Sequence, residues 1–483
     1  MIRMRIPHIR YDYVKKLHRA FKAKTVAIIG ASRNPNKIGH QVVKRLLEGG
    51  YQGKIFPVNP KANKIEVEVN GKKIPLKCYK SVKEIPDDID LAVICVPAQI
   101  VKPVVQDCIE KKVGAIAMIT AGFSEVGPEG KKLEDEIVTM VRKAGIPLIG
   151  PNIVGVIDAP NKMNASFAFS LPYPGKIAFI SQSGALIIGL IGWTHEHKIG
   201  MSTIVSVGNK ADVDFSEFIL YFKDDPDTNC IAMYIEGVDA GPEFVEACRK
   251  TTPIKPIIAC KAGMSERGAL ATMSHTGSMA GSARIYDAAF KKAGVIRVES
   301  LDELFDGALA LSLMPPMKGD NLIVITNGGG AGVLATDSAE KFGIPLRDTP
   351  EDLQKEIRKF VPWFASTKNP IDMTGMATDE WYARATELAL QNSKVDGVIV
   401  LYCHTAITSP MEVAKALYEV WERNKHLGKP LTVSFIGGIE CEKASAWLKE
   451  HGIPCYPEPY RAVRAMAILR QYGRFLEKLK GSS

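Results

Sequence analysis

Thr25-Val-Ala-Ile-Ile-Gly-Ala-Ser32 opens with a run that shows no alternation of polar and apolar residues and is closed by Gly30. A strand buried on both faces reads this way, because neither face meets water. A polar loop follows as far as Gly39, then a helical pattern over 40–48. Further short apolar runs occur at 55–58, 91–96, 115–119 and 147–149, and helical patterns at 101–111 and 130–144 separate most of them. Strand and helix alternating at this spacing predict a parallel, doubly wound sheet.

The same grammar repeats downstream. Pro172-Tyr-Pro-Gly175 punctuates the chain, and a second module follows with strands expected at 176–180, 202–207, 230–235 and 257–260. Met314-Pro-Pro316 is the next break. A third module has strands expected at 321–325, 397–402 and 431–435 and closes on a basic helix after Pro459. The second and third modules open alike, as Phe179-Ile-Ser-Gln-Ser-Gly-Ala-Leu186 and Val324-Ile-Thr-Asn-Gly-Gly-Gly-Ala331. Each is a buried strand, a polar-glycine turn and a helix start rich in small residues. A helix start carries unpaired N–H groups and partial positive charge, so Gln182-Ser183-Gly184 and Gly328-Gly329-Gly330 are candidate phosphate sites. Taken singly, either is equally a tight turn.

Composition removes several alternatives. The chain of 483 residues is 46% hydrophobic and 24% charged, which fits folded domains. No apolar run reaches the roughly 20 residues of a membrane span. The nine cysteines form no Cys-x-x-Cys pair, and several sit in apolar strands (Cys95, Cys230, Cys260 and Cys403), as in a reduced protein of the cytoplasm. The net charge of +9 is local: +7 falls in residues 1–24 and +5 in 461–480, leaving −3 on the body. That argues against a nucleic-acid binder and is expected of solvated helix faces. A dinucleotide site is disfavoured too. The glycines after Ile29 are wrongly spaced, and Val58-Asn59-Pro60-Lys61 offers a lysine where a ribose-binding acid belongs. The first module fits a phosphorylated nucleotide other than NAD, or an α/β domain without one.

Of nine histidines, His275 stands apart. It lies in Ser274-His-Thr-Gly277, inside a Gly-, Ser- and Thr-rich stretch from Lys261 to Gly281 that reads as a loop between a buried strand and a helix over 282–292. Open α/β sheets place ligands beyond the carboxyl ends of their strands. An imidazole there can accept a phosphoryl group covalently. It must be neutral and oriented, which a carboxylate on its other nitrogen achieves. Glu236, ending another strand of the same module, is the candidate.

Taken together, Val26-Ala-Ile-Ile-Gly-Ala-Ser32, Val58-Asn-Pro-Lys61, Ile149-Gly-Pro-Asn152, Ile180-Ser-Gln-Ser-Gly-Ala185, Val207-Gly-Asn-Lys-Ala-Asp212, Ser274-His-Thr-Gly277 and Thr326-Asn-Gly-Gly-Gly330 resemble the α subunits of ADP-forming acyl-CoA synthetases, in the succinyl-CoA synthetase superfamily. The likeness covers almost the whole chain. It implies an α/β protein of three doubly wound domains: a Rossmann-like CoA-binding domain over 1–150, a succinyl-CoA-synthetase-like domain with the phosphohistidine loop over 151–314, and a second flavodoxin-like domain over 315–483. His275 is the implied phosphorylated residue, held by Glu236 between the two helix starts. CoA is assigned to Gly30, Ala31, Ser32, Asn59, Lys61, Val96 and Pro97. Thr120, Asn152, Gln182, Ser183 and Gly184, with Gly328, Gly329 and Gly330, are assigned to the acyl group and phosphate. The implied reaction interconverts acyl-CoA, phosphate and ADP with a carboxylic acid, ATP and CoA through an acyl phosphate.

No ATP-grasp domain follows the third module. The resemblance therefore implies a separate β subunit carrying ADP or ATP with Mg2+, an α2β2 assembly, and travel of the histidine segment about Gly263, Gly268, Gly277 and Gly281. One departure concerns selectivity: Ile153 follows Gly150-Pro-Asn152 where many relatives have Cys or Ser. No arginine is placed for a second carboxylate, so small monocarboxylic acids are expected. Two other readings are a CoA-binding scaffold without catalysis and the ligase-like part of a protein acyltransferase, whose acetyltransferase domain this chain lacks.

Overall fold

Alternate residues of the strand Thr25–Ile29 belong to different hydrophobic clusters, which is what a sheet covered on both faces requires. Val26 and Ile28 pack with Val42 and Leu46 of the helix Ile38–Glu48. Ala27 and Ile29 pack with Val101 and Val105 of the helix Val101–Lys111 and with Ile137 of the helix Pro128–Ala144. The computed structural model describes residues 9–276 and 283–481, without the side chains of 272–276. The chain divides into two compact units, Met1–Ser300 and Leu301–Ser483.

The first unit holds two large sheets. One is five-stranded and parallel, in the order Lys54–Val58, Thr25–Ile29, Leu91–Ile94, Ala115–Met118, Leu148–Ile149. The other has seven strands: Ile296–Val298, Ile257–Lys261, Cys230–Ile235, Pro174–Ser181, Met201–Ser206, then Gly155–Asp158 and Met163–Ser166. Its first five are parallel, and the last two are antiparallel additions that the apolar pattern did not announce. A hairpin, Lys64–Val69 with Lys72–Lys77, was also unexpected. Its turn, Asn70-Gly71, has φ of 50° and 75°, the left-handed pair that two-residue hairpin loops demand.

The second unit carries a five-stranded parallel sheet, Ile371–Asp372, Leu322–Thr326, Gly397–Cys403, Leu431–Ile436, Cys455–Tyr456. The helices Leu301–Leu313 and Pro459–Gly481 pack together within it.

The basic ends differ from the solvated faces expected of them. Leu17, Ala20 and Phe21 of the helix Tyr11–Phe21 are buried, and Phe21 stacks on Tyr221 at 4.8 Å. Arg10 pairs with buried Asp212 and with Glu217 (3.1 Å), and Lys22 reaches Asp158 (3.0 Å) and Asp227 (2.9 Å). In the second unit, Arg461 and Arg464 converge on buried Asp306 at 2.6 and 2.8 Å. The terminal cations thus meet buried carboxylates of the acidic body. Among the described residues no helix is long and apolar enough to cross a membrane.

Candidate functional site

A cavity of about 1140 Å3 lies within the first unit, lined by the turns that leave the carboxyl ends of both large sheets. The turn after Thr25–Ile29 forms one wall. Gly30 has φ of +101°, and a Cβ on it would lie 2.8 Å from the Cys95 carbonyl oxygen. Gly39, at the start of the following helix, approaches so closely that a Cβ would stand 2.1 Å from the Gly30 carbonyl oxygen. Only glycine meets both conditions. The loop between them is tied down from two sides. His40 Nδ1 bonds the Ser32 carbonyl at 2.8 Å, and Asn59 Nδ2 donates to the Ala31 carbonyl at 2.7 Å. Asn59 Oδ1 also accepts from the Lys61 backbone N–H (2.9 Å). Asn59 thereby spends one end of its amide on the loop and the other on its own turn, while Lys37 and Lys61 stay exposed at the cavity wall. Thr120 donates to the Val96 carbonyl (2.7 Å) and accepts at its own carbonyl from Asn152 N–H (3.0 Å). Cys95 lines the cavity too, with burial pushing its thiol up to about 12.

The opposite wall comes from the second sheet. Ser181 Oγ donates to the Ser183 carbonyl (2.9 Å) and accepts from the Ser183 N–H (3.1 Å), which fixes the turn. Ser183 caps the helix Gly184–His197, its Oγ accepting from Leu186 N–H at 3.4 Å. Gln182 reaches sideways: its Oε1 accepts from the N–H groups of Glu236 (2.5 Å) and Gly237 (2.9 Å). Glu236, 7% exposed, is thus held at the cavity beside a helix start.

The second unit repeats this arrangement. Thr326 Oγ1 donates to the Gly328 carbonyl (3.1 Å) and accepts from its N–H (3.0 Å), as Ser181 does for Ser183. Asn327 plays the part of Gln182, exchanging two 2.8 Å bonds with the backbone of Cys403 at the neighbouring strand end. The helix Gly329–Lys341 then starts with no side-chain cap, leaving its first N–H groups open.

The cavity gathers Gly30, Ser32, Asn59, Lys61, Val96 and Pro97 on one side. Thr120, Asn152, Gln182, Ser183, Gly184 and Glu236 complete the sequence-predicted set within it. Ala31 is buried beneath the loop and contributes only its carbonyl. Gly328, Gly329 and Gly330 belong to the other unit. His275 requires a correction. It falls in a helix, Glu266–Thr276, not in a loop. Its side chain, and residues 277–282 with Gly277 and Gly281, lie outside the described residues.

Several lining or neighbouring groups have no role assigned from sequence, although Asn209 and Lys210 lie in the motif Val207-Gly-Asn-Lys-Ala-Asp212. Asn209 Nδ2 donates to Ser124 Oγ (3.0 Å), Glu125 (2.6 Å) and buried Glu134 (2.9 Å), while its Oδ1 accepts from Asn152 (3.3 Å). Lys210 is buried in the same turn. Lys261 ends the strand beside Glu236, with its ammonium 4.5 Å from the Tyr286 ring centre. Burial pushes that ammonium below the usual lysine range, and nearby Glu236 opposes the shift. The signal to act on was positional: Gly208-Asn209-Lys210 follows a strand's carboxyl end, as do the cavity-lining residues Gly30, Asn59, Thr120 and Gln182.

Three family profiles match the chain in order: a CoA binding domain over 24–159, a succinyl-CoA ligase like flavodoxin domain over 174–311, and a ligase-CoA domain over 322–477. The chain is 48% identical to the acetate–CoA ligase [ADP-forming] I subunit alpha of Pyrococcus furiosus, across 96% of this chain and 99% of that one. It is 38% identical to the acetate–CoA ligase [ADP-forming] I of Archaeoglobus fulgidus, across 96% of this chain but 64% of that longer one. Among solved structures it resembles the dinucleotide forming acetyl-coenzyme A synthetase 1 of Ca. Korarchaeum cryptofilum, in complex with phosphate and ADP. The TM-score is 0.90 and the identity 45%, covering 96% of this chain and 98% of that chain.

Proposed function

Because the chain belongs to the family of ADP-forming acetate–CoA ligase α subunits, we propose that it works on an acyl-CoA and phosphate in this cavity and relays a phosphoryl group through His275. A phosphate oxygen attacks the thioester carbonyl, the C–S bond breaks, and CoA leaves with the sulfur pair and a proton. An imidazole nitrogen of His275 then attacks phosphorus. The P–O bond to the acyl group breaks, the carboxylic acid departs, and the phosphoryl group passes to an oxygen of ADP. The protein's share is positioning and charge stabilisation on moving oxygens.

The observation that carries this reading is the joining of two kinds of wall in one cavity. The Gly30–Gly39 turn with Lys37 and Lys61 suits the phosphates of CoA. The capped helix start at Ser183 suits the transferred phosphoryl group, and Glu236 beside it suits the N–H of an imidazole. A partner β subunit of the ATP-grasp type supplies the ADP site, with Mg2+, in an α2β2 assembly. The relatives support that division. The Pyrococcus protein, called a subunit, matches over nearly its full length, whereas the Archaeoglobus ligase continues well beyond the match.

The test is ATP synthesis from acetyl-CoA, ADP and phosphate by the chain with and without its partner. ATP is expected only from the pair. ATP from the chain alone would end the two-subunit reading, and none from the pair would end the proposed reaction.

A further inference from the structure

The described lining of the cavity includes three lysines, and they differ in kind. Lys37 and Lys61 are exposed. Lys210 is 9% exposed and its side chain only 3%. Its backbone has φ of 53°, a left-handed conformation that a lysine adopts at some cost. Its ammonium donates to the Gly237 carbonyl (3.0 Å) and to Asp239 Oδ2 (2.7 Å). An ammonium has three N–H groups, so one donor remains after these two. A buried cation held in a strained turn with a donor in reserve is costly as a purely structural device.

The cavity itself supplies the reason. Glu236 brings a carboxylate into a space that the proposed reaction must share with a phosphate, and like charges at such range repel strongly in a partly dry site. The Ser183 helix start offsets part of that repulsion as a partial charge, and the Lys261 ammonium near Glu236 offsets another part. Lys210 lines the same cavity, and its grip on the Gly237 carbonyl places it one residue beyond Glu236.

We propose that Lys210 is an anion-binding residue of this site, giving its third N–H to an oxygen of inorganic phosphate or of the phosphoryl group formed from it. The assignment rests on the reaction proposed above. Asp239, whose side chain is 65% exposed, then acts as a competitor for the same charge. Buried Asp212 is committed to Arg10 and Arg142, so it does not compete, whereas Asp214 shares the attraction of Lys210.

Binding of inorganic phosphate and of CoA to the full-length chain, measured separately by calorimetry, tests this. Lys210→Met removes charge and donors, whereas Lys210→Gln keeps N–H groups for Gly237 and Asp239 and removes the charge and the third N–H. Both are expected to weaken phosphate by about tenfold or more and leave CoA within about twofold. Asp239→Asn is expected to tighten phosphate by about threefold in the wild-type background and not when combined with Lys210→Met, a coupling that a scaffolding role for Lys210 would not produce. Unchanged phosphate binding by Lys210→Gln would overturn the assignment. So would parallel loss of CoA and phosphate in both variants, or a wild-type chain that takes CoA but no phosphate. A wild-type chain that binds phosphate through Lys210 yet no CoA would overturn the proposed reaction and uphold this assignment.

Discussion

Asp214 shows how one carboxyl can be costly and still be retained. It caps the helix Phe215–Asp224, accepting from Phe215 N–H at 2.7 Å and closing a reciprocal capping box with Glu217. Burial pushes its carboxyl up to about 6, against the opposing pull of Lys210. An unfolded aspartate loses its proton near pH ~4. Between about pH 4 and 6 the folded chain therefore binds more protons than the unfolded one, and stability falls as pH rises through that window. The loss is on the order of 3 kcal/mol by pH 7. Asparagine caps as well as aspartate and carries no charge. Asp214→Asn is therefore expected to match wild type in melting temperature near pH 4 and to exceed it increasingly up to pH 7. A difference that stays constant with pH would contradict the burial argument.

At the scale of elements, the strand-to-helix turns are where sequence and structure agree best. Strand Thr25–Ile29 and helix Val101–Lys111 lie where the pattern placed them, because unbroken apolar runs and i, i+4 spacing are local signals. The matched openings at Ser181 and Thr326 were visible as composition, and the structure adds the two-way hydroxyl bonds that fix them. The helix Glu266–Thr276 was masked by its Gly and Ser content. Yet Ser265, whose Oγ accepts from Gly268 N–H (3.1 Å), and Glu266 in the first turn are ordinary helix-start chemistry. The strands Lys64–Val69 and Lys72–Lys77 were missed although Lys64–Val69 alternates exposed and buried residues and Asn70-Gly71 joins the two. Gly39→Ala tests the tightest of these junctions. Its Cβ would collide with the Gly30 carbonyl and push the helix Ile38–Glu48 off the sheet. The expected cost is about 3 kcal/mol by denaturant titration, with loss of CoA binding. Wild-type stability and binding would contradict the close approach.

Over the whole molecule, two strand-to-helix turns of matched construction fall in units that fold around separate sheets. The cavity with Glu236 and the Ser183 helix start belongs to the first, and the Gly329 helix start to the second. What periodicity and composition cannot carry is which side chains spend themselves on the frame. Asn59, Gln182 and Asn209 looked like ligand groups or were passed over, and all three prove to be bonded to the frame. The relay itself is tested most directly by incubating the full-length chain with acetyl-CoA and 32P-labelled inorganic phosphate in the absence of ADP, then mapping the label. The expected result is an acid-labile, alkali-stable phosphoryl group on His275 that is absent from His275→Asn. No label, or a label on any other residue, would contradict it.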